Sequence, residues 1–406
     1  MNILYISNEY PPETGFGGIG TYTLLSAEGL AKRGHGVHVI CRSPEGTPLT
    51  RVKNGVTVHR IPPGTYPLPS WRALYPFRKF CYAQAPHVLS RLAWAREAFK
   101  EYQALSESVR FDLIEYPECG GEGYYFLKAD AVARIARLHT PWEMVRLLNG
   151  TRETTIDRVL LSHIERSSVL KADAVTSPTK ALAEIVRKKW HVKNISVFPN
   201  PAPGTGPNRR SGNDWIFTGR VEFRKGVHLL IEAYARLCRS ESPPLLRIVG
   251  KPYGRLQSGA DYGDFIDKMI ASLGLGDKIK WIKGVPLSSI AGLLGQSSVA
   301  VFPSLWENQS YSCLEAMSLG CAVVTSRIGG FTEIIEDGRN GLMFEPNSVD
   351  QLTEKLMSLL KDPALARSLG AAAIKTIETV FDPLIIFDAM EKFYGSVAQG
   401  KAHGKH

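Results

Sequence analysis

A chain of 406 residues with 44% apolar and 22% charged side chains lies in the globular range and is long enough for two domains of ordinary size. Those values exclude a disordered or fibrous chain, and no run of about 18 or more apolar residues is present to cross a membrane. The net charge of +10 is uneven: residues 1–200 hold 26 Lys and Arg against 18 Asp and Glu, and residues 201–406 hold 23 against 21. A basic first half suits an anionic partner such as a phosphate-bearing acceptor or an acidic membrane face, or serves only solubility; no nucleic-acid motif accompanies it. The cysteines Cys41, Cys81, Cys119, Cys238, Cys313 and Cys321 form no C-x-x-C pair and no metal-ligand spacing. Scattered thiols and the lack of a charge-flanked apolar leader lead us to expect a reducing, cytoplasmic setting.

The first apolar run, NILYIS, predicts a strand from residue 2. TGFGGIG (14–20) follows, and then TYTLLSAEGLAKRG, where Leu24, Leu25, Ala27, Leu30 and Ala31 recur at helical spacing. Strand, glycine-rich turn and helix is the layout that cradles phosphate. Gly15, Gly17 and Gly20 satisfy G-x-G-x-x-G, but a dinucleotide fingerprint follows its strand immediately, and here NEYPPE intervenes. The next strand, VHVIC, ends in Arg42 rather than an acid, which would suit only NADP. Read without a ligand, these glycines simply close a strand-to-helix turn.

Strands VTVHRI, FDLIEY, RIARLH, AVTSP and ISVF are predicted next. Ahead of FDLIEY, the run YPLPSWRALYPFRKFCY (66–82) mixes Trp71, Tyr75, Phe77, Phe80 and Tyr82 with Arg72, Arg78 and Lys79. It reads either as a helix covering the sheet or as a surface for a membrane or a lipid-linked acceptor. Behind FDLIEY, Tyr116, Glu118 and Glu122 are candidates for acceptor hydroxyls, or members of a polar turn. Pro199–Asn208, PNPAPGTGPN, is too rich in proline and glycine for a regular element and reads as part of a linker over 199–213. Strands DWIFTG, LLRIVG, IKWIKG, VAVFPS, AVVTS and GLMF then resume, with helices between them.

Strand–helix alternation with apolar strands means parallel sheets covered on both faces. Two such runs predict an α/β protein of two doubly wound, Rossmann-like domains, over 1–198 and 214–380. Their strands' carboxyl ends are expected to face a shared central cleft. FDPLIIFDAMEKFYGSV (381–397) predicts a final amphipathic helix returning to the first domain, and GKAHGKH a frayed tail.

After VAVFPS the chain reads PSLWENQSYSCLEAMSLG, with Glu307 and Glu315 eight positions apart. A glycosidase pair needs carboxyls about 5 to 9.5 Å apart. On one helix these two would lie about 12 Å apart along the axis and about 80° apart in direction. Glu307 is therefore expected in the loop after a strand and Glu315 on a helix beginning near Ser310 or Ser312, each meeting a different part of one elongated ligand.

This segment resembles the E-x7-E signature of retaining GT-B glycosyltransferases, specifically glycosyltransferase family 4. FTGRVEFRKG (217–226) resembles that family's G-R-x4-K-G motif. EYPPETGFGGIGTY with LAKRGHGVHVI resembles its N-terminal loop and helix, and SRIGGFTEIIEDGRNGLMF the segment after its E-x7-E helix. The resemblance spans nearly the whole chain. It implies a GT-B fold and hexosyl transfer from a nucleotide diphosphate sugar with retention of configuration. UDP-glucose is the first expectation for the donor and GDP-mannose the second. The acceptor would be a glycan or lipid-linked hydroxyl in polysaccharide or cell-envelope assembly.

Position by position, the resemblance implies that Arg220 and Lys225 neutralise the leaving diphosphate and that Glu307 contacts sugar hydroxyls. It implies that Glu315 holds the ribose and that His139 faces the sugar. Gly17 and Gly18 would belong to a loop that approaches the diphosphate, and the amides around Ser310, Tyr311 and Ser312 would receive phosphate or sugar. Asn308 and Gln309 stand where many members have glycine and phenylalanine, in the sugar pocket. Gly219, Gly250, Lys251 and Val285 complete the expected donor site. Expelling a nucleoside diphosphate builds negative charge on the β-phosphate, which a fixed Arg, a Lys and a helix N-terminus stabilise. No D-x-D pair occurs, so neither a metal nor a cofactor is expected. Two rival readings are an NADP-dependent oxidoreductase using the glycine loop and an inactive nucleotide- or glycan-binding protein. The first leaves Arg220, Lys225, Glu307 and Glu315 unexplained, and the second retains charged motifs for no chemistry.

Overall fold

Parallel strands need long crossovers, and crossover helices bury both faces of the sheet, so the strands read as nearly unbroken apolar runs. Both halves of this chain obey that logic in a computed structural model, which describes residues 1–14, 17–68, 75–149, 153–202 and 212–403. The chain divides into two compact units. Unit 1 takes Met1–Val145, Arg152–Pro201 and Leu384–His406, and unit 2 takes Arg146–Thr151 and Ala202–Pro383.

The strands of unit 1 are β1 (Asn2–Ile6), β2 (Gly36–Arg42), β3 (Leu49–Lys53), β4 (Val56–Ile61), β5 (Leu113–Pro117), β6 (Ala133–Arg137), β7 (Ala174–Ser177) and β8 (Ser196–Val197). They form one sheet in the order β3-β4-β2-β1-β5-β6-β7-β8, parallel except for β3, which pairs antiparallel with β4. Its core holds Leu4, Ile6, Ile40, Trp94, Ile114, Phe126, Leu138, Leu182 and Trp190. The strand β3 was not anticipated: all five of its residues are exposed, so LTRVK carries no burial pattern. The helix Pro383–His403 closes this unit. Its Tyr394 hydroxyl donates to Glu115, Phe393 meets the ring of Phe198 at 5.0 Å, and Arg33 pairs with Asp388 and Glu391. The expectation of a frayed tail is corrected in part, since the helix runs on through Lys401, whose Nζ lies 2.7 Å from Asp173.

In unit 2, β9 (Asp214–Thr218), β10 (Leu246–Val249), β11 (Ile279–Ile282), β12 (Ser297–Phe302), β13 (Ala322–Ser326) and β14 (Leu342–Phe344) form an all-parallel sheet in the order β11-β10-β9-β12-β13-β14. One face packs Phe217, Leu230, Tyr234, Ile248, Val301 and Leu356; the other packs Ile216, Phe302, Leu314, Met317, Val323 and Phe331. In this order the strands step outward one way from β9 and the other way from β12. The neighbours β9 and β12 thus flank the point where the connection reverses, and loops leaving their carboxyl ends diverge and open a crevice. Of the proposed linker, residues 203–211 lie outside the described residues.

Candidate functional site

The crevice of unit 2 is built by the loops after β9, β10 and β12. Gly219 follows β9 with φ +140, and Gly250 follows β10 with φ +157. A Cβ on Gly250 would stand 1.7 Å from the Gly219 carbonyl oxygen, so only glycine lets the two strand ends approach this closely. Lys251 follows, exposed, its carbonyl accepting from Val221 N at 2.9 Å, while Val285, after β11, packs half-buried against the core. Beyond Gly219 the chain turns through Phe223–Lys225 into the helix Val227–Ser240, pivoting on Gly226 at φ +68. A Cβ there would meet the Pro303 carbonyl oxygen at 1.9 Å. That contact draws the β9 loop against the β12 loop, and Leu305 N donates to Arg224 O at 2.7 Å.

Five charged side chains gather across this seam. Lys225 Nζ bonds Glu307 directly, and Arg224 Nη1 lies 3.6 Å from the same carboxylate. Arg224 Nη2 also donates to Glu222 Oε1 at 2.5 Å, while its Nη1 donates to Trp306 O at 2.9 Å. Arg220, half-exposed, lies 3.7 Å from Glu222 and 5.1 Å over the ring of Tyr253. Asn149, which clusters with this unit, donates to Glu222 Oε2 at 3.0 Å. Burial raises the pKa of Glu307, but Lys225 and Arg224 more than offset it and hold the carboxyl below its ordinary value. The same balance, with Arg224 and Arg220 as the cations, keeps Glu222 ionised. Burial lowers the Lys225 ammonium, against the pull of Glu307. Three cations against two carboxylates leave the cluster one positive charge in excess.

The β12 loop runs through Glu307, Asn308, Gln309 and Ser310, all buried, into the helix Tyr311–Ser318. Ser310 caps that helix, its Oγ accepting from Cys313 N at 3.4 Å, and the amides of Tyr311 and Ser312 belong to its first turn. From the far side, Gly330 N donates to Glu307 O at 3.0 Å. A Cβ on Gly329 would stand 2.1 Å from that oxygen. Glu315 lies one turn into the helix, and burial alone raises its carboxyl to about 7. Arg220, Lys225, Glu307 and the helix N-terminus therefore meet at the switch point. Sequence reasoning missed Arg224 and Glu222, although the alternation R-V-E-F-R-K carries them both inside the motif.

In unit 1, Gly17 caps and Gly18 opens the helix Gly18–Lys32; Gly15 of the same motif lies outside the described residues. A Cβ on Gly18 would meet nothing within 4 Å, and one on Gly17 would meet Glu9 Oε2 at 2.9 Å. His139 follows β6. Its backbone N donates to Glu118 Oε2 at 2.7 Å, and the Tyr22 ring lies edge-on at 5.3 Å. Burial, then Arg137, lower the imidazole to about 3, so it is neutral at physiological pH.

Tyr116, Glu118 and Glu122, the candidates for acceptor hydroxyls or for a polar turn, are buried, at 1%, 0% and 2% exposure. In a parallel strand both faces are covered, and Tyr116 turns inward to donate to Ser168 O at 3.0 Å. Glu122 accepts from Asn8 N at 2.8 Å and Trp94 Nε1 at 3.3 Å, tying the β1 loop to the β5 loop. Burial raises Glu122 to about 7, and burial with the nearby Glu165 raises Glu118 to about 8.

Two family descriptions match this chain: the glycosyl transferase 4-like domain over residues 17–201 and the glycosyl transferases group 1 over residues 207–376. A D-inositol 3-phosphate glycosyltransferase of Stackebrandtia nassauensis is 27% identical over 390 residues, 90% of this chain and 84% of that protein. A sucrose-phosphate synthase from Thermosynechococcus elongatus superposes with a TM-score of 0.79 at 19% identity, covering 98% of this chain and 99% of that one. The Anabaena protein HepE, solved in complex with UDP-glucose, superposes at 0.66 with 16% identity, covering 98% and 100%.

Proposed function

Because this chain belongs to the GT4-type GT-B glycosyltransferases, we propose that unit 2 holds a nucleotide diphosphate sugar at its switch point for transfer of the hexose, with retention, to an acceptor hydroxyl. The observation that carries this reading is the cluster Arg220–Glu222–Arg224–Lys225–Glu307, with its excess positive charge beside the N-terminus of the helix Tyr311–Ser318. Transfer breaks the bond between the sugar C1 and the β-phosphate oxygen, and negative charge grows on that phosphate. Arg220, the exposed cation of the cluster, and the Tyr311 and Ser312 amides are aimed at such charge in advance, which is where catalysis gains most. Glu307, kept ionised, accepts from sugar hydroxyls, and Glu315 accepts from the ribose. Asn308 and Gln309 add side-chain hydrogen bonds in the sugar pocket, and Gly219, Gly250, Lys251 and Val285 border the nucleotide. In unit 1, we assign neutral His139 to the sugar and the Gly17–Gly18 backbone to the diphosphate, as the family resemblance implies.

We take UDP-glucose as the first donor, in keeping with the UDP-glucose complex of HepE, and GDP-mannose as the second. The acceptor is a glycan or lipid-linked hydroxyl of polysaccharide or envelope assembly. Phosphate-bearing acceptors, as the name of the inositol 3-phosphate relative indicates for that protein, fit the basic first half. The charge-stabilising groups are side chains and amides, so transfer should persist in excess EDTA; activity lost to chelator and restored by Mg²⁺ or Mn²⁺ would count against this. The test is a thermal-shift screen of UDP-, GDP- and ADP-sugars beside NADP. A ligand at 100 times its Kd stabilises by about 2.7 kcal/mol. Stabilisation by NADP and by no nucleotide sugar overturns the reading.

A further inference from the structure

The helix Thr155–Leu170 carries apolar residues on two faces. Leu161, Ile164 and Val169 are buried, as a covering helix requires. The opposite stripe is apolar as well: Ile156, Val159, Leu160 and Leu170 are 43%, 57%, 44% and 44% exposed. These positions recur at helical spacing, so they share one outward face. The helix Tyr75–Gln84 adds Phe77, Phe80 and Tyr82, at 52%, 55% and 39% exposure. The two helices are joined within unit 1. Thr154, the cap of the second, donates to Gln84 O at the end of the first, and Cys81 packs into the cluster that holds Leu161 and Ile164.

The charges on these helices are sorted by sign. The only acids they contain, Asp157 and Glu165, are both buried. Asp157 accepts from His87 N and Val88 N at 3.1 and 2.7 Å, and Glu165 from Gly120 N and Trp142 N at 2.6 and 3.1 Å. Of their Lys and Arg residues, Arg78 is half-buried, while Lys79, Arg158 and Arg166 are exposed, and no ion pair engages these three among the described residues. The two helices therefore present large apolar side chains and unpaired positive charge, with both of their carboxylates turned inward. A protein partner of ordinary composition would meet them with mixed charge. A sheet of anionic headgroups over hydrocarbon matches both properties at once.

We propose that this face of unit 1 docks on the surface of a bilayer containing anionic lipid. Phe77, Phe80, Val159 and Leu160 enter the headgroup–acyl boundary, while Lys79, Arg158 and Arg166 meet lipid phosphates. The site is a surface on which the chain lies; no helix of the described residues is long and apolar enough to cross a membrane. The interaction is independent of donor binding, so it stands or falls separately from the transfer reading.

The test is co-sedimentation of the full chain, without donor, on vesicles of phosphatidylcholine mixed with phosphatidylglycerol and on vesicles of phosphatidylcholine alone. Two surface variants accompany it: Lys79→Gln/Arg158→Gln/Arg166→Gln and Val159→Asn/Leu160→Gln. Binding to the anionic vesicles, weakened by salt and absent on the neutral ones, is expected. Each basic residue at such a surface contributes roughly five-fold in partitioning, so the triple variant should bind on the order of a hundredfold more weakly. The apolar pair should also lose binding, and both variants should melt like the parent, because the replaced side chains are exposed. The proposal is overturned by no binding to anionic vesicles, by binding that neither variant weakens, or by a solution dimer that Val159→Asn/Leu160→Gln dissociates, which would make a second copy the occupant.

Discussion

Arg220 and Arg224 both approach Glu222, yet burial separates what they do. Arg220 is half-exposed, with one guanidinium face on Tyr253, so removing it leaves no buried charge stranded. Arg220→Ala should melt within about 1 kcal/mol of the parent and lose on the order of 10²–10³ in kcat. Arg224 is 8% exposed and neutralises two carboxylates together. Arg224→Ala should lose about 3–5 kcal/mol of stability as well as activity. Chemical denaturation beside a transfer assay separates the two; equal stability loss in both would show that Arg220 is structural. Glu315 makes a different kind of prediction. Its folded carboxyl lies near 7, above an unfolded value of about 4.3. Between those values the folded state holds more protons, so stability falls as pH rises through that window and levels off above it. Glu315→Gln should therefore melt higher than the parent near pH 8 and match it near pH 4. Donor affinity should move the opposite way: the parent should bind more tightly as the carboxyl ionises to accept ribose hydroxyls, and the variant should bind weakly at every pH. Calorimetry across that range checks both slopes.

At the scale of elements, the switch point depends on glycines that bring strand ends together. Gly250→Ala would drive a Cβ into the Gly219 carbonyl at 1.7 Å and force a φ of +157 on an L side chain. It should destabilise by about 2 kcal/mol or more and weaken donor binding, which a melt and a titration would show. Gly18 is the contrast, since its Cβ direction is open. Gly18→Val should leave the melting temperature nearly unchanged, spare donor binding by unit 2 and collapse transfer. Normal transfer in that variant would make the loop a turn and nothing more. The sheets were largely legible in the sequence, because strands such as VAVF and VHVIC are buried on both faces and read as apolar runs. LTRVK was not, because an exposed antiparallel edge strand has no apolar signature. The motif glycines, Arg220, Lys225 and the two glutamates were singled out through the family resemblance, and their roles stand as proposals. Glu222 and Arg224 were not singled out, since a buried ion pair and a solvated one are written in the same letters. The burial of Tyr116, Glu118 and Glu122 was hidden for the same reason: composition does not say which way a strand-end loop turns its side chains.

For the molecule as a whole, the division into units does not follow the order of the chain. Unit 2 takes Arg146–Thr151 from the first half of the chain and then Ala202–Pro383, and the helix Pro383–His403 completes unit 1. That helix supplies Tyr394 to the buried Glu115, Phe387 against the helix Gly18–Lys32 at Gly29, and acids to Arg33 and His35. A chain truncated after Asp382 should keep unit 2 folded and able to bind donor. Unit 1 should lose its cooperative melting and expose Tyr5, Tyr22 and Leu30 to solvent, which hydrogen exchange would register. Exchange protection in unit 1 equal to that of the parent would show the helix to be an ornament. On the ribosome the same arrangement sets an order of events. Apart from Arg146–Thr151, which has already been made, unit 2 is one stretch, Ala202–Pro383, and can fold as soon as it emerges, whereas the rest of the first two hundred residues must wait, their sheet uncovered where the last helix belongs, until a segment some 180 residues further on has been made. During that interval the half of the protein synthesised first is the half most exposed to misassociation, and a chaperone that engages nascent chains should be found on unit 1 and not on unit 2.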